Sequence, residues 1–357
     1  MAEDVYRKLA KKLDELPNGF PATDSGVEIE ILKKIFTPDE AEMALKIRPL
    51  PETAEAIAQR LEKPLREMRS ILDKMAGKGQ IGCFKFFGQQ VYMFFPFAVG
   101  IYEFQINRMD TELANLCEKY APSFFTKLGA FEPALTRVIP INAKIDAQLQ
   151  VHLYEDLHRI IDQSKSFKVQ DCICRKERAL QGHACKHKLE SCLSISPEEG
   201  AFDYFHLAGR IISKEEAFKV LSDAEKEGLV HCSWNVQQGH RFICNCCPCS
   251  CGLLRSVKEF KAPYMLAKSN FVAQIDKQAC SSCGICKDER CPMDAIVDED
   301  NSYKVLPDRC IGCGVCTLTC PTESITMKAR TSKTEPPADL IEWNAKRAGS
   351  RGIEIRY

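Results

Sequence analysis

Hydrophobic and polar positions set out a helical start. Residues 1–20, MAEDVYRKLAKKLDELPNGF, are amphipathic and stop at Pro17-Asn18-Gly19, which predicts one helix. Thr37-Pro38-Asp39-Glu40 opens another, with a capping hydroxyl, proline at the first helical position and acids in the first turn. Pro51–Leu61 reads as a short helix. Pro64 starts a further one in which Met68, Ile71, Leu72 and Met75 share a face, and Gly77 and Gly79 end it. Two apolar runs, IGCFKFF and VYMFFPF, flank Gly88-Gln89-Gln90 and predict a β-hairpin. Asp110–Tyr120 and Val151–Asp162 are the best helical candidates of the mixed segment that follows. Ser213-Lys214-Glu215-Glu216 reads as a capping box for a helix whose Ala217, Val220, Leu221 and Ala224 form one face, stopped by Gly228. These shifts divide the chain into residues 1–100, a helical connector 101–165, a middle part 166–270, a compact unit 271–330 and a proline-containing tail 331–357, with Trp343 placed to anchor the tail. The expected class is α+β multidomain.

At 357 residues and 40.3 kDa the chain is long enough for two or three domains. Lys+Arg and Asp+Glu both total 49, which excludes a strongly basic nucleic-acid coat and an acidic disordered tail. The N-terminus lacks the apolar run of a secretory signal, and the greasiest stretch, Val91–Tyr102, is too short to cross a bilayer, so the chain reads as cytoplasmic. Across Gly26–Phe97 the order of helix, tight turn, helix and hairpin resembles a winged-helix domain. That resemblance implies DNA contact through Arg66, Arg69, Lys74 and Lys78. Yet 11 Lys+Arg face 10 Asp+Glu there, so docking or homodimerisation suits the segment better than DNA.

Twenty cysteines are the anomaly, and eighteen of them fall between Cys172 and Cys320. In a reducing compartment such density points to thiolate–metal bonds rather than disulfides. The remaining two, Cys83 and Cys117, sit in apolar segments and read as small core residues. Cys280, Cys283 and Cys286 are each separated by two residues, and after four more comes Cys291-Pro292; Cys310, Cys313 and Cys316 repeat this, and after three more comes Cys320-Pro321. The second run matches C-x2-C-x2-C-x3-C-P, and the first carries one extra residue. Zinc, which takes paired C-x2-4-C ligands, does not suit two triplets. Gly284, Gly312 and Gly314 permit close backbone approach.

This segment closely resembles the two-cluster [4Fe-4S] ferredoxins. The resemblance implies two pseudo-symmetric halves with a small hairpin from each. It assigns Cys280, Cys283, Cys286 and Cys320 to one cluster and Cys310, Cys313, Cys316 and Cys291 to the other. The whole chain resembles, more loosely, multidomain ferredoxin-type iron–sulfur proteins of anaerobes.

The middle cysteines are Cys172, Cys174, Cys185, Cys192, Cys244, Cys246, Cys247, Cys249 and Cys251. Between Ser164 and Cys192 seven Lys+Arg meet three Asp+Glu, which favours an anionic guest. A further [4Fe-4S] cluster leads; zinc, with His183 or His187 beside Cys185, and redox-active thiols are the alternatives. Cys232 is not counted as a ligand. His152, His158, His206, His231 and His240 read as ordinary polar residues. Nucleotide-binding glycine loops are absent, and no catalytic group is assigned. The expectation is an electron-transfer iron–sulfur protein, a carrier or a subunit of an anaerobic oxidoreductase, with oxidoreductase or flavoprotein partners. The alternatives are an iron–sulfur redox-sensing transcriptional regulator, or a catalytic subunit whose middle cluster has an open iron.

Overall fold

The computed structural model describes residues 4–141, 151–204 and 208–355. Its N-terminal part is helical: α1 (Val5–Asp14), α2 (Val27–Ile35), α3 (Pro38–Lys46), α4 (Ala54–Arg60) and α5 (Leu65–Gly77). Thr37 closes a reciprocal capping box with Glu40 at the start of α3, and Pro38 follows it. Met68, Leu72 and Met75 of α5 are buried, as their spacing demands. Strands β1 (Gly82–Phe86) and β2 (Gln89–Met93) pair antiparallel. Their turn is Phe87-Gly88, one step earlier than the Gly88-Gln89-Gln90 expected, because both residues take positive φ, as a two-residue hairpin turn requires. Glu52 forms an antiparallel bridge with Tyr92 of β2, which ties the turn before α4 to the hairpin.

A single turn, α6 (Tyr102–Phe104), leads into α7 (Thr111–Leu128), capped by Asp110. The segment 101–165 is not wholly helical. Besides α7 and α8 (Leu157–Asp162) it supplies β3 (Thr136–Ile139), and all four residues of β3 are buried. β3 belongs to a seven-stranded sheet that organises the middle of the molecule. The other strands are β4 (Ser166–Asp171), β5 (Glu190–Ser196), β6 (Arg210–Ile212), β7 (Val230–Trp234), β8 (Phe242–Cys246) and β9 (Leu266–Ala267). The spatial order is β6-β4-β5-β8-β7-β3-β9, antiparallel except for β3 with β9. Helices α9 (Ile173–Leu180), α10 (Lys214–Lys226) and α11 (Gly252–Lys258) connect these strands. Ser213 caps α10 by accepting from the Glu216 N–H.

The C-terminal unit holds two ribbons. β10 (Phe271–Ile275) pairs with β13 (Ile325–Ala329), and β11 (Ile296–Glu299) pairs with β12 (Ser302–Val305). The expected hairpin from each half is therefore not what forms. One ribbon joins the first strand of the unit to its last, and the other joins the two halves across Asp300-Asn301, both at positive φ.

Finally α12 (Leu340–Arg351) returns to the body. Trp343 is buried, donates from Nε1 to the Ala134 carbonyl at 2.9 Å and packs on Trp234, which fits the anchoring role expected of it. Cys83 on β1 and Cys117 on α7 are buried core residues, as expected. No described helix is long and apolar enough to cross a membrane.

Candidate metal centres

The C-terminal repeat brings its cysteines to two recesses. Cys291, Cys310, Cys313 and Cys316 line one, together with Met293, Ile296, Val305 and Ile311. Cys280, Cys283, Cys286 and Cys320 line the other, with Ile275, Ile285, Tyr303 and Ile325. Each recess thus takes three thiols from one run and the fourth from the other. The spacing explains this. Cysteines with two residues between them on a tight turn share one side of a guest, and the fourth thiol comes from the other run.

Backbone geometry serves the same end. Gly312 has φ +73°, and a Cβ there would lie 2.2 Å from both the Phe271 carbonyl oxygen and Ser269 Oγ. Gly314, at φ +78°, packs against the Ile141 backbone. N–H groups point at sulfur: Ser282 donates to Cys280 at 3.4 Å and Ala295 to Cys291 at 3.2 Å. Burial pushes the Cys313 thiol up to about 12 and Cys286 to about 11. Burial also raises Cys320, but the hydroxyls of Ser324 and Thr322 outweigh it and hold this thiol below its usual range. Thiols gathered between apolar walls suit a cationic iron core, which takes the place of their protons.

The middle cysteines separate into two groups. Strand period two puts Cys244 and Cys246 on one face of β8 and Asn245 on the other. Cys192 of β5 meets Cys244. A register shift between Gln170 and Asp171 ends β4, so Cys172 caps α9 and Cys174 lies in its first turn, while Cys251 caps α11. The thiols form a sequence of contacts: Cys172 to Cys174, Cys174 to Cys251, Cys251 to Cys246 at 3.0 Å, Cys246 to Cys244, and Cys244 to Cys192. Backbone N–H groups at the start of α11 meet two of these thiols, Gly252 at Cys174 and Leu254 at Cys251, and favour negative charge there. Cys172 and Cys192 stand well above the usual thiol range, Cys172 through its bond to Cys174 and Cys192 through its bond to Cys244, and both through burial. Cys232, discounted from its spacing, sits opposite Cys244 in the sheet and beside Cys246, fully buried. Only the antiparallel register of β7 with β8 reveals that neighbour.

The second group is Cys185, Cys247 and Cys249. Cys185 and Cys247 lie 3.7 Å apart, and Cys185, Cys249 and a ring nitrogen of His187 fall within 4.8 Å of one another. Arg175, itself buried, lies against Cys247; although burial raises that thiol, the guanidinium outweighs it and holds Cys247 below its usual range. His183 is exposed and outside this group. His231 and His240 are buried and hydrogen-bonded, to Asn245 and Ser233 respectively. His152 stacks on Tyr154 and His158 on Phe218. His206 lies outside the described residues.

The two regions share packing. Cys232, Cys246 and Cys251 belong to the same buried apolar cluster as Cys286, Cys310, Cys313 and Cys316, joined through Val138, Ile141, Val230 and Leu254. The Ile141 N–H donates to the Cys313 carbonyl at 3.0 Å. None of the twenty cysteines is in a disulfide.

Residues 303–326, which include Cys310, Cys313, Cys316 and Cys320, match the model of a 4Fe-4S binding domain. At least one [4Fe-4S] cluster and an iron–sulfur electron-transfer role follow from that match.

Proposed function

We propose that this protein is a multicluster electron relay. It carries two C-terminal [4Fe-4S] clusters, held by Cys280, Cys283, Cys286 and Cys320 and by Cys310, Cys313, Cys316 and Cys291. A third cluster takes ligands from among Cys172, Cys174, Cys192, Cys244, Cys246 and Cys251. When bound, such clusters supply one-electron chemistry. The observation that carries this reading is the pair of recesses, each lined by four cysteines drawn from both runs of the repeat.

The chain's own residues give the relay an order. The apolar cluster shared by Cys246, Cys251 and Cys313 excludes water between the middle thiols and the Cys310 recess. The Cys280 recess lies at the other end, where Cys283 is exposed, and it is the natural outlet to a soluble partner. Helices α3, α4 and α5 with the β1–β2 hairpin resemble a winged helix, and the Glu52–Tyr92 bridge supports that layout. We assign it a docking role toward an oxidoreductase or flavoprotein. Arg69 pairs with Glu55 and Lys78 with Glu40, so two of the four cations a DNA-reading face would use are already engaged.

Anaerobic purification with iron and sulfide analysis, followed by EPR of the reduced protein, tests the reading. About twelve irons per chain are expected, four for each cubane. Cys313→Ser should remove about four of them. About eight irons would withdraw the middle cluster, and an iron content of four or fewer would withdraw the relay.

A further inference from the structure

The split of the middle thiols has a consequence that the relay does not use. Cys246 and Cys247 are adjacent in sequence, yet they belong to different packing clusters. Cys246 joins the cluster that reaches Cys313, whereas Cys247 packs with Ala224 and Leu229, with Cys185 against them. β8 ends at Cys246, and the chain carries Cys247 and Cys249 away from the six-thiol group.

Three sulfurs come together here, and a ring nitrogen of His187 lies beside two of them. Cys185 and Cys247 are 3.7 Å apart. Cys249 touches both of them. The donor atoms of Cys185, His187 and Cys249 lie within 4.8 Å of one another. With Zn–S bonds of about 2.3 Å, a tetrahedral zinc sets its sulfurs about 3.8 Å apart. A disulfide would need about 2.05 Å.

The surroundings have the second layer of contacts that a metal site uses. His187 Nδ1 faces Glu227 Oε2 at 3.3 Å, the carboxylate contact that commonly orients a ligating imidazole. That carboxylate oxygen also accepts the Lys188 N–H at 3.1 Å. The His187 N–H donates to Cys185 Sγ at 3.4 Å. Arg175 is fixed by the carbonyls of Lys188 and Asn245, both at 2.7 Å, and its charge balances the single negative charge that three thiolates leave on a zinc ion.

We propose that Cys185, Cys247, Cys249 and His187 form a mononuclear zinc site, structural in role and separate from the iron–sulfur centres. It pins the loop after α9 to the turn after β8.

Elemental analysis and zinc-edge X-ray absorption of the full-length protein, purified anaerobically, test this. The expected result is about one zinc per chain, with three sulfurs at about 2.3 Å and one nitrogen at about 2.0 Å. Cys249→Ser, at an exposed position, should lose zinc while iron content and the EPR signals stay unchanged. His187→Cys keeps four donors and should retain zinc with a shell of four sulfurs. If Cys249→Ser does not accumulate, His187→Cys decides alone. Zinc absent from the wild type, iron lost with Cys249→Ser, or an unchanged shell in His187→Cys would each overturn the assignment. None of these readouts depends on how many iron clusters the chain holds.

Discussion

Gly312 is where one missing methyl group matters most. Its Cβ position is occupied by backbone and by Ser269 Oγ, which itself donates to the Gly312 carbonyl at 2.7 Å. Gly312→Ala should therefore displace the turn that presents Cys310 and Cys313, with loss of iron from that recess. Gly352 has a similar φ of +67° but open space around it, so Gly352→Ala should cost only about 1 kcal/mol. Iron analysis and thermal melts of the two variants check the contrast. Glu177 is the other residue-scale case. Burial raises its carboxyl to about 7, although the Tyr102 hydroxyl donates to it. A carboxyl raised on folding stabilises the fold below its ordinary pKa, and that contribution is lost as pH rises through about 7. Melting temperature should accordingly fall between about pH 5 and 8, and Glu177→Gln should flatten the decline. The grouping of the C-terminal thiols was legible because regular spacing brings three of each run to one recess. The division of the middle thiols was not, since adjacent residues such as Cys246 and Cys247 differ only in where a strand stops.

Among elements, those with local signals were readable. Thr37, Pro64 and Gly228 punctuate helices, and α3, α5 and α10 start and stop near them. The seven-stranded sheet was not readable. β4, β7 and β8 are buried on both faces and place Lys168, Gln170, Ser233 and Asn245 inside, so their polarity does not alternate. The interior charge has partners at long range. Arg137, with no exposed surface, donates to Glu155 at 2.6 Å and to Asn235 at 3.2 Å, and Glu155 accepts the Asn270 N–H at 2.8 Å. This pair links β3 to the strand that enters the C-terminal unit. Arg137→Met would strand the carboxylate and should cost about 3–5 kcal/mol, whereas replacing both partners with apolar residues should cost much less. Chemical denaturation of the single and double variants measures this.

The whole molecule is closed by its last helix. Arg347 donates to the carbonyls of Leu128 and Pro133, and Arg351 pairs with Asp14 and donates to the Leu16 carbonyl. Trp343→Ala should destabilise the fold by about 3–5 kcal/mol, as read from the shift in denaturation midpoint. The anchor was visible as a lone tryptophan in a polar tail; its receiving groove, made by Ala134 and Trp234, required the fold. The two recesses also differ in shelter. Cys283 is exposed, while Cys310, Cys313 and Cys316 are each below a tenth exposed and lie against the sheet. Molecular oxygen meets the outer one first. With the two C-terminal clusters proposed above, the preparation should bleach in air in two stages, with roughly half of that iron released early and the remainder protected until the body of the protein opens.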